Sequence, residues 1–262
     1  MDLKLTDKLA LVSGSTAGIG FAIATALAAE GARVIINGRT KPRVSEALDN
    51  IRAQHPAAKI ETFVGDLATD AGAAELAQRF PAVDVLVNNL GIFEPKAFEE
   101  IPDDDWRRFF EVNVLSGVRL SRLYLPGMKE RNWGRIIFIS SESALQIPSE
   151  MIHYGMTKTA QIAVARGLAE LCAGTGVTVN SVLPGPTRSE GVDEFVRKLS
   201  GGKSFEEFEK EFFVNVRPTS LLKRFASVDE VASLVAYVAS PLSSATTGAA
   251  LRVEGGIVKS SF

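Results

Sequence analysis

Tyr154 and Lys158 stand four residues apart in Tyr154-Gly155-Met156-Thr157-Lys158, at the start of an apolar stretch that runs on to Leu171. That stretch reads as a helix, and residues four apart on a helix share a face. A phenol titrates near 10, too high for efficient acid–base work at neutrality. An ammonium one turn away favours the phenolate and is expected to draw that value down. A surface tyrosine with an incidental lysine would look the same in isolation, but other polar groups are placed to join this pair. The run Ile136 to Ile139 ends in Ser140-Ser141, with Ser141 the better candidate of the two. The turn Asn88-Asn89-Leu90-Gly91 follows another apolar run, and Asn113 lies within the stretch after it. The chemistry implied is proton transfer to or from an oxygen held by hydrogen bonds.

A second constellation lies near the N-terminus. The run Leu9 to Val12 leads into Ser13-Gly14-Ser15-Thr16-Ala17-Gly18-Ile19-Gly20, followed at once by an amphipathic stretch. A pyrophosphate needs backbone N–H groups and a helix N-terminus nearby, and β-carbons at Gly14, Gly18 and Gly20 would hold it away. The spacing is G-x-x-x-G-x-G, not the commoner G-x-G-x-x-G. The bland alternative is a strand-to-helix turn that uses glycine for positive φ. At the end of the second strand, Asn37-Gly38-Arg39-Thr40 carries no carboxylate to repel a 2'-phosphate, and Arg39 offers a guanidinium fork to bind one. NADP(H) is therefore the preferred cofactor, with NAD(H) the alternative if Arg39 is only a solvated helix-start residue. Asp66 is placed either at the adenine amino group, with Leu67 beside it, or as the cap of the next helix.

These residues need a scaffold. Apolar, β-branched runs recur at Leu9 to Val12, Val34 to Ile36, Ile60 to Val64, Val83 to Val87, Ile136 to Ile139, Val177 to Val182 and Ala249 to Val253. Between them lie helical patterns such as Ile19 to Glu30, Val44 to Gln54, Ala71 to Phe80 and Trp106 to Tyr124, with a last helix over Val228 to Ser240. Strands this apolar suit a mostly parallel sheet covered on both faces, an α/β doubly wound Rossmann architecture. Such sheets bind ligands at the carboxyl ends of their strands, where both constellations fall. The stretch from Thr187 to Thr219 breaks the alternation with charge, Gly201-Gly202 and four phenylalanines, and reads as a helical lid expected to order on ligand binding. A single domain over residues 1–262 is expected.

Composition narrows the classes. The 262 residues are 46% hydrophobic, with a formal charge of -2, so no basic surplus exists to neutralise nucleic-acid phosphates. A single cysteine, Cys172, excludes an internal disulfide, and His55 and His153 are too few for a histidine-rich metal site. The first eight residues alternate charged and apolar types, and no run approaches the roughly 18 residues of a membrane span. A soluble cytoplasmic protein without nucleic-acid, membrane or metal partners is expected. Asp103-Asp104-Asp105 reads as helix-start charge, not a metal site. His153 points about 100° away from Tyr154. Phe93 and the lid phenylalanines suggest an apolar pocket wall. Ser143, Gln146 and Met151 are further substrate-pocket candidates, with Glu94, Glu142 and Glu150 as polar neighbours.

Taken together, the motifs resemble the short-chain dehydrogenase/reductase family over essentially the whole chain. The family's T-G-x-x-x-G-x-G loop appears as Ser13 to Gly20, with serine leading. Its N-N-A-G turn appears as Asn88-Asn89-Leu90-Gly91, where leucine replaces alanine and is expected to narrow the nicotinamide end. Asn113, Ser141, Tyr154 and Lys158 match its catalytic tetrad. Pro184-Gly185-Pro186-Thr187 resembles its P-G-x-x-T segment, with the threonine one position early. The resemblance implies a seven-stranded fold and a homotetramer or homodimer built on the helices around Asn113 and Tyr154 plus the C-terminal strand. It also implies a cofactor held by Gly14, Ser15, Thr16, Gly18, Ile19, Gly20, Asn89, Gly91, Tyr154, Lys158, Pro184, Gly185 and Thr187. The implied reaction interconverts a carbonyl and a secondary alcohol on a small molecule, as in a 3-oxoacyl reductase or general ketoreductase. Tyr154 would exchange the proton, Ser141 hold the oxygen, Lys158 lower the tyrosine pKa and grip the ribose, and Asn113 anchor a relay water. Competing readings are an NAD-dependent alcohol or sugar dehydrogenase, an epimerase or dehydratase of the extended branch, and a non-catalytic NADP(H)-binding regulator. The chain lacks the extra substrate domain usual in the extended branch, and a regulator would not need the complete tetrad.

Overall fold

Period-two alternation along each apolar run decides how the sheet is buried. Ala10, Val12, Val34, Ile36, Val85, Val87, Ile137 and Ile139 point to one core, while Leu11, Ile35, Leu86, Ile136 and Phe138 point to the other. Both faces of these strands are thus apolar, as a sheet sandwiched between helices requires. The computed structural model describes residues 2–192, 196 and 204–261. Its main sheet contains β1 (Leu9–Val12), β2 (Arg33–Gly38), β3 (Lys59–Val64), β4 (Val85–Asn88), β5 (Gly134–Ile139), β6 (Val177–Pro184) and β9 (Ala250–Val253). The order is β3-β2-β1-β4-β5-β6-β9 and every pairing is parallel. A separate two-stranded parallel pair joins β7 (Thr187–Arg188) to β8 (Ala226–Ser227).

Helices α1 (Gly18–Ala29) and α2 (Lys41–Gln54) follow β1 and β2, and α1 packs against the last helix, α8 (Val228–Ala239). On the other face lie α3 (Asp70–Arg79), α5 (Ser116–Glu130) and α6 (Ile152–Leu171). The order reverses between β1 and β4, and the crevice at that switch point is where a doubly wound sheet takes its ligand. This is the seven-stranded doubly wound fold expected from the sequence.

Two elements depart from their sequence-based outlines. The helix expected over Trp106 to Tyr124 begins at α4 (Asp103–Phe110) and runs on through α5, with a π-helical turn at Glu111–Leu115 between them. Periodicity does not reveal one inserted residue, and π-turns are frequent at functional sites. In the expected lid, Gly201-Gly202 lies outside the described residues. The described part holds α7 (Phe205–Asn215), started by a capping box in which Ser204 and Glu207 satisfy each other's backbone.

Candidate active site

The loop after β1 is shaped by backbone more than by side chains. Gly18 takes φ +57°, and a β-carbon on Gly20 would stand 2.5 Å from the Gly14 carbonyl oxygen, against the Asn89 side chain. Only glycine lets α1 start this close to the turn after β4. The Ala17 N-cap offers no side-chain acceptor and the first turn of α1 holds no acidic residue, so its N–H groups face an anion unopposed. Asn37 staples the loop: its Oδ1 accepts from Gly14 N at 3.1 Å and its Nδ2 donates to Phe63 O and Gly65 O. The buried Ser15 hydroxyl donates to Val12 O at 2.7 Å and accepts from Asn37 N, so this side chain braces the loop from inside. Thr16 lies over Gly38 at the end of β2, next to the exposed Arg39. This cradle fits a dinucleotide: the glycines clear room where phosphates must approach, and uncapped donors line it.

A cavity of about 180 Å³ opens from this loop across the sheet edge. It is lined by Ile19, Asn89, Gly91, Phe93, Ser141, Tyr154, Lys158, Pro184 and Gly185, all expected from sequence, together with Ile92, Ile139 and Ser140. Ile92 and Ile139 carry no polar signal in the sequence, and Ser140 stands second to Ser141 there. Thr187 is buried at the start of β7, its hydroxyl bonded to Gly185 O, and it does not line the cavity. The Asp66 carboxylate accepts from Ala68 N in a turn, while Thr69 caps α3. Leu67 is buried in the core beside it. Leu90 leans toward Gly14 from the turn after β4.

Asn113 sits behind the cavity wall, fully buried in the π-turn. Its Oδ1 accepts from Ile92 N at 2.7 Å, and its Nδ2 donates to Ile92 O and Thr157 Oγ1. Thr157 in turn donates to Tyr154 O. Asn113 therefore locks the turn after β4 to the helix that carries the tyrosine. Gln161 Nε2 donates to the Asn113 backbone oxygen. Lys158 Nζ donates to Ile139 O at 2.9 Å and stands 5.6 Å from the centre of the Tyr154 ring, and Ser140 Oγ holds the Lys158 backbone oxygen.

Burial, not the Lys158 ammonium, sets the direction in which the Tyr154 phenol is shifted. Burial pushes the Tyr154 phenol above its usual value; the Ser141 hydroxyl opposes that, the Glu142 carboxylate adds to it, and the Arg217 guanidinium again opposes it. Lys158 is not among these groups. Burial draws its ammonium down to about 7, because a cation on Nζ keeps one backbone acceptor in place of water.

Further positions correct the pocket expectation. The lid phenylalanines do not wall the cavity: Phe205, Phe212 and Phe213 pack on Phe225 with ring centres 5.0 to 5.5 Å apart, and Phe208 stacks on Phe212. Ser143 is buried, with its N–H and hydroxyl both on Glu142 Oε2. Gln146 is exposed and Met151 partly so, and neither lines the cavity. His153 is buried against Phe109, with ring centres 4.0 Å apart, and against Trp106, turned away from the cavity as its neighbour relation to Tyr154 requires. The residue with no local signal was Arg217, which reaches Glu142 across 75 positions of sequence.

Comparison with known proteins agrees with this geometry. The model of the short chain dehydrogenase family matches residues 8–199. An uncharacterized oxidoreductase of Bacillus subtilis, YvaG, is 52% identical over the full length of both chains. The D-beta-hydroxybutyrate dehydrogenase of Cupriavidus necator is 33% identical, with 97% of this chain and 99% of that protein covered. Among solved structures, L-sorbose reductase from Gluconobacter frateurii, complexed with NADPH and L-sorbose, superposes with a TM-score of 0.92 at 29% identity over 99% of this chain and all of that one. No described helix is long and apolar enough to cross a membrane. The chain belongs to the short-chain dehydrogenase/reductase family and is an oxidoreductase acting between CH–OH and C=O groups.

Proposed function

We propose that this protein is an NADP(H)-dependent ketoreductase that interconverts a small-molecule carbonyl and its secondary alcohol. The observation that carries the reading is one cavity in which Tyr154, Ser141 and Lys158 face Ile19 and Asn89 of the glycine-rich cradle. When bound, the nicotinamide would supply or accept hydride. In reduction, Tyr154 gives its hydroxyl proton to the carbonyl oxygen as the C=O π bond breaks and the carbon takes up hydride, leaving an alcohol and a phenolate that solvent reprotonates. At neutral pH Tyr154 carries the proton that it must donate, and burial makes it a weaker acid than a free phenol, so donation leans on hydrogen bonds to the phenolate such as that from Ser141. Lys158, with burial holding it near 7, presents N–H donors at the cavity floor to grip a ribose hydroxyl. Asn113 holds the frame on which both are mounted.

Arg39 supports the phosphate-bearing cofactor: it is exposed beside Thr16, and among the described residues no carboxylate pairs with it. The NADPH in the L-sorbose reductase structure points the same way. Exposed Phe110 and Leu123, on the helices around Asn113, support a homo-oligomer, and the reduced, buried Cys172 suits the cytoplasm. Cofactor consumption should be followed with L-sorbose, acetoacetate and a 3-oxoacyl thioester, using NADPH and NADH in parallel. Turnover faster with NADPH is expected. Faster turnover with NADH would move the reading to an NAD-dependent dehydrogenase, and tight NADPH binding with no turnover on a broad carbonyl panel would favour a regulator.

A further inference from the structure

Glu142 follows the catalytic serine directly and is 4% exposed. Its Oε2 accepts from Ser141 Oγ at 2.6 Å, from Ser143 N at 2.9 Å and from Ser143 Oγ at 3.2 Å. Its Oε1 accepts from Arg217 Nε at 3.1 Å. Arg217, itself 8% exposed, also donates to Glu150 Oε1 and to Val216 O. Its own N–H bonds Phe212 O, so its position is fixed by the C-terminal end of α7. A buried ion pair is a weak device for stability, since apolar replacements of similar volume are often as good. This one touches the hydroxyl that the reaction uses.

A carboxylate can only accept, so the proton between Glu142 and Ser141 sits on the serine and points to Glu142, which does not line the cavity. Ser143 N also donates to Ser141 Oγ, at 3.1 Å, which fixes the hydroxyl from behind. When Ser141 turns its proton to a substrate oxygen, Glu142 keeps both donors of Ser143 and the guanidinium of Arg217. The swing therefore leaves no buried charge bare.

We propose that Glu142, pinned by Arg217, is a positioning residue for the reaction: it parks the Ser141 hydroxyl beside Tyr154 and makes that arrangement depend on the seating of α7. The inference rests on the ketoreductase reading above. It carries a signature that packing alone does not. Glu142 and Arg217 act on Tyr154 with opposite signs, the carboxylate raising the phenol pKa and the guanidinium lowering it. The other charged groups here are Lys158, on the same helix and turned to Ile139 O, and Glu150, on the solvent side of Arg217.

The test is the pH profile of NADPH-dependent reduction, with whichever of the three carbonyl probes turns over, in the wild type, Glu142→Gln and Arg217→Met. Two protons are lost on the alkaline side, that of Lys158 near 7 and that of Tyr154 above its usual value, and the upper limb is the one that marks Tyr154. Glu142→Gln should move that limb down and Arg217→Met should move it up, each by about one pH unit. Both should lower kcat on the order of ten-fold or more while changing KM less. If Arg217→Met folds poorly, Arg217→Lys retains the charge and should return the limb toward the wild type. Limbs that coincide with the wild type, or that move in the same direction in both variants, overturn the inference. Tyr154→Phe separates the two levels: if it keeps turnover the parent reading falls and takes this one with it, whereas inactive Tyr154→Phe with unmoved limbs overturns the positioning role alone.

Discussion

The two walls of the cavity are built by different means. The wall after β1 is made of backbone: glycines admit a close approach, an uncapped helix supplies donors, and Asn37 and Ser15 brace the loop from within. The wall after β5 is made of side chains that meet across long stretches of sequence, Ser141 with Glu142 and then Arg217, Lys158 with the Ile139 carbonyl, Asn113 with Ile92 and Thr157. The first has little to adjust and suits a constant ligand. The second carries charges whose balance can be tuned to a particular substrate.

Substitutions should break the two walls differently. Gly20→Val forces the Gly14 carbonyl away and should cost about 2 to 4 kcal/mol of stability, with NADPH binding weakened about a hundred-fold or more by titration calorimetry. Retained binding would mean that the first wall is more plastic than described. Lys158→Met should remove turnover yet stabilise the fold. The folded lysine titrates near 7, below its unfolded value of 10.5. The native protein is therefore penalised wherever the unfolded lysine is charged, so the contribution of Lys158 is least unfavourable above 10.5 and grows more unfavourable as pH drops toward 7. Relative to the wild type, the variant should gain nothing at pH 11 and about 2 to 4 kcal/mol at pH 6, after losing one hydrogen bond, as read by denaturant unfolding. A gain that does not depend on pH would contradict the buried-cation account. Arg39→Gln should lower the NADPH to NADH preference about thirty-fold by removing one charge-assisted contact; an unchanged ratio would place phosphate recognition elsewhere. Ser227→Ala, in the capping box of α8 and outside the cavity lining, should lower stability by about 1 kcal/mol and leave kcat unchanged.

The same contrast explains what the sequence made legible. Strands were readable because period-two alternation of apolar residues is a local property, and the glycine cradle because its meaning lies within eight consecutive positions. Tyr154 and Lys158 were readable as one helical turn. Lys158's effect on the tyrosine was not, because it depends on where Nζ finds its acceptor, and that acceptor is the Ile139 backbone, which no residue type announces. The lid phenylalanines misled for a related reason: their partner, Phe225, follows the lid and joins them only in three dimensions. The π-turn around Asn113 adds a residue without changing the apolar pattern. Arg217 stood as one charge among many in the expected lid, and its role appears only where the chain end of α7 meets the serine loop.

The most direct measurement compares wild type and Tyr154→Phe for both NADPH affinity and carbonyl turnover in the same preparation. Removing the one hydroxyl that donates the proton should leave NADPH affinity within about three-fold and lower kcat by about a thousand-fold or more. Turnover within ten-fold of the wild type, with the variant folded and cofactor bound, would contradict the account.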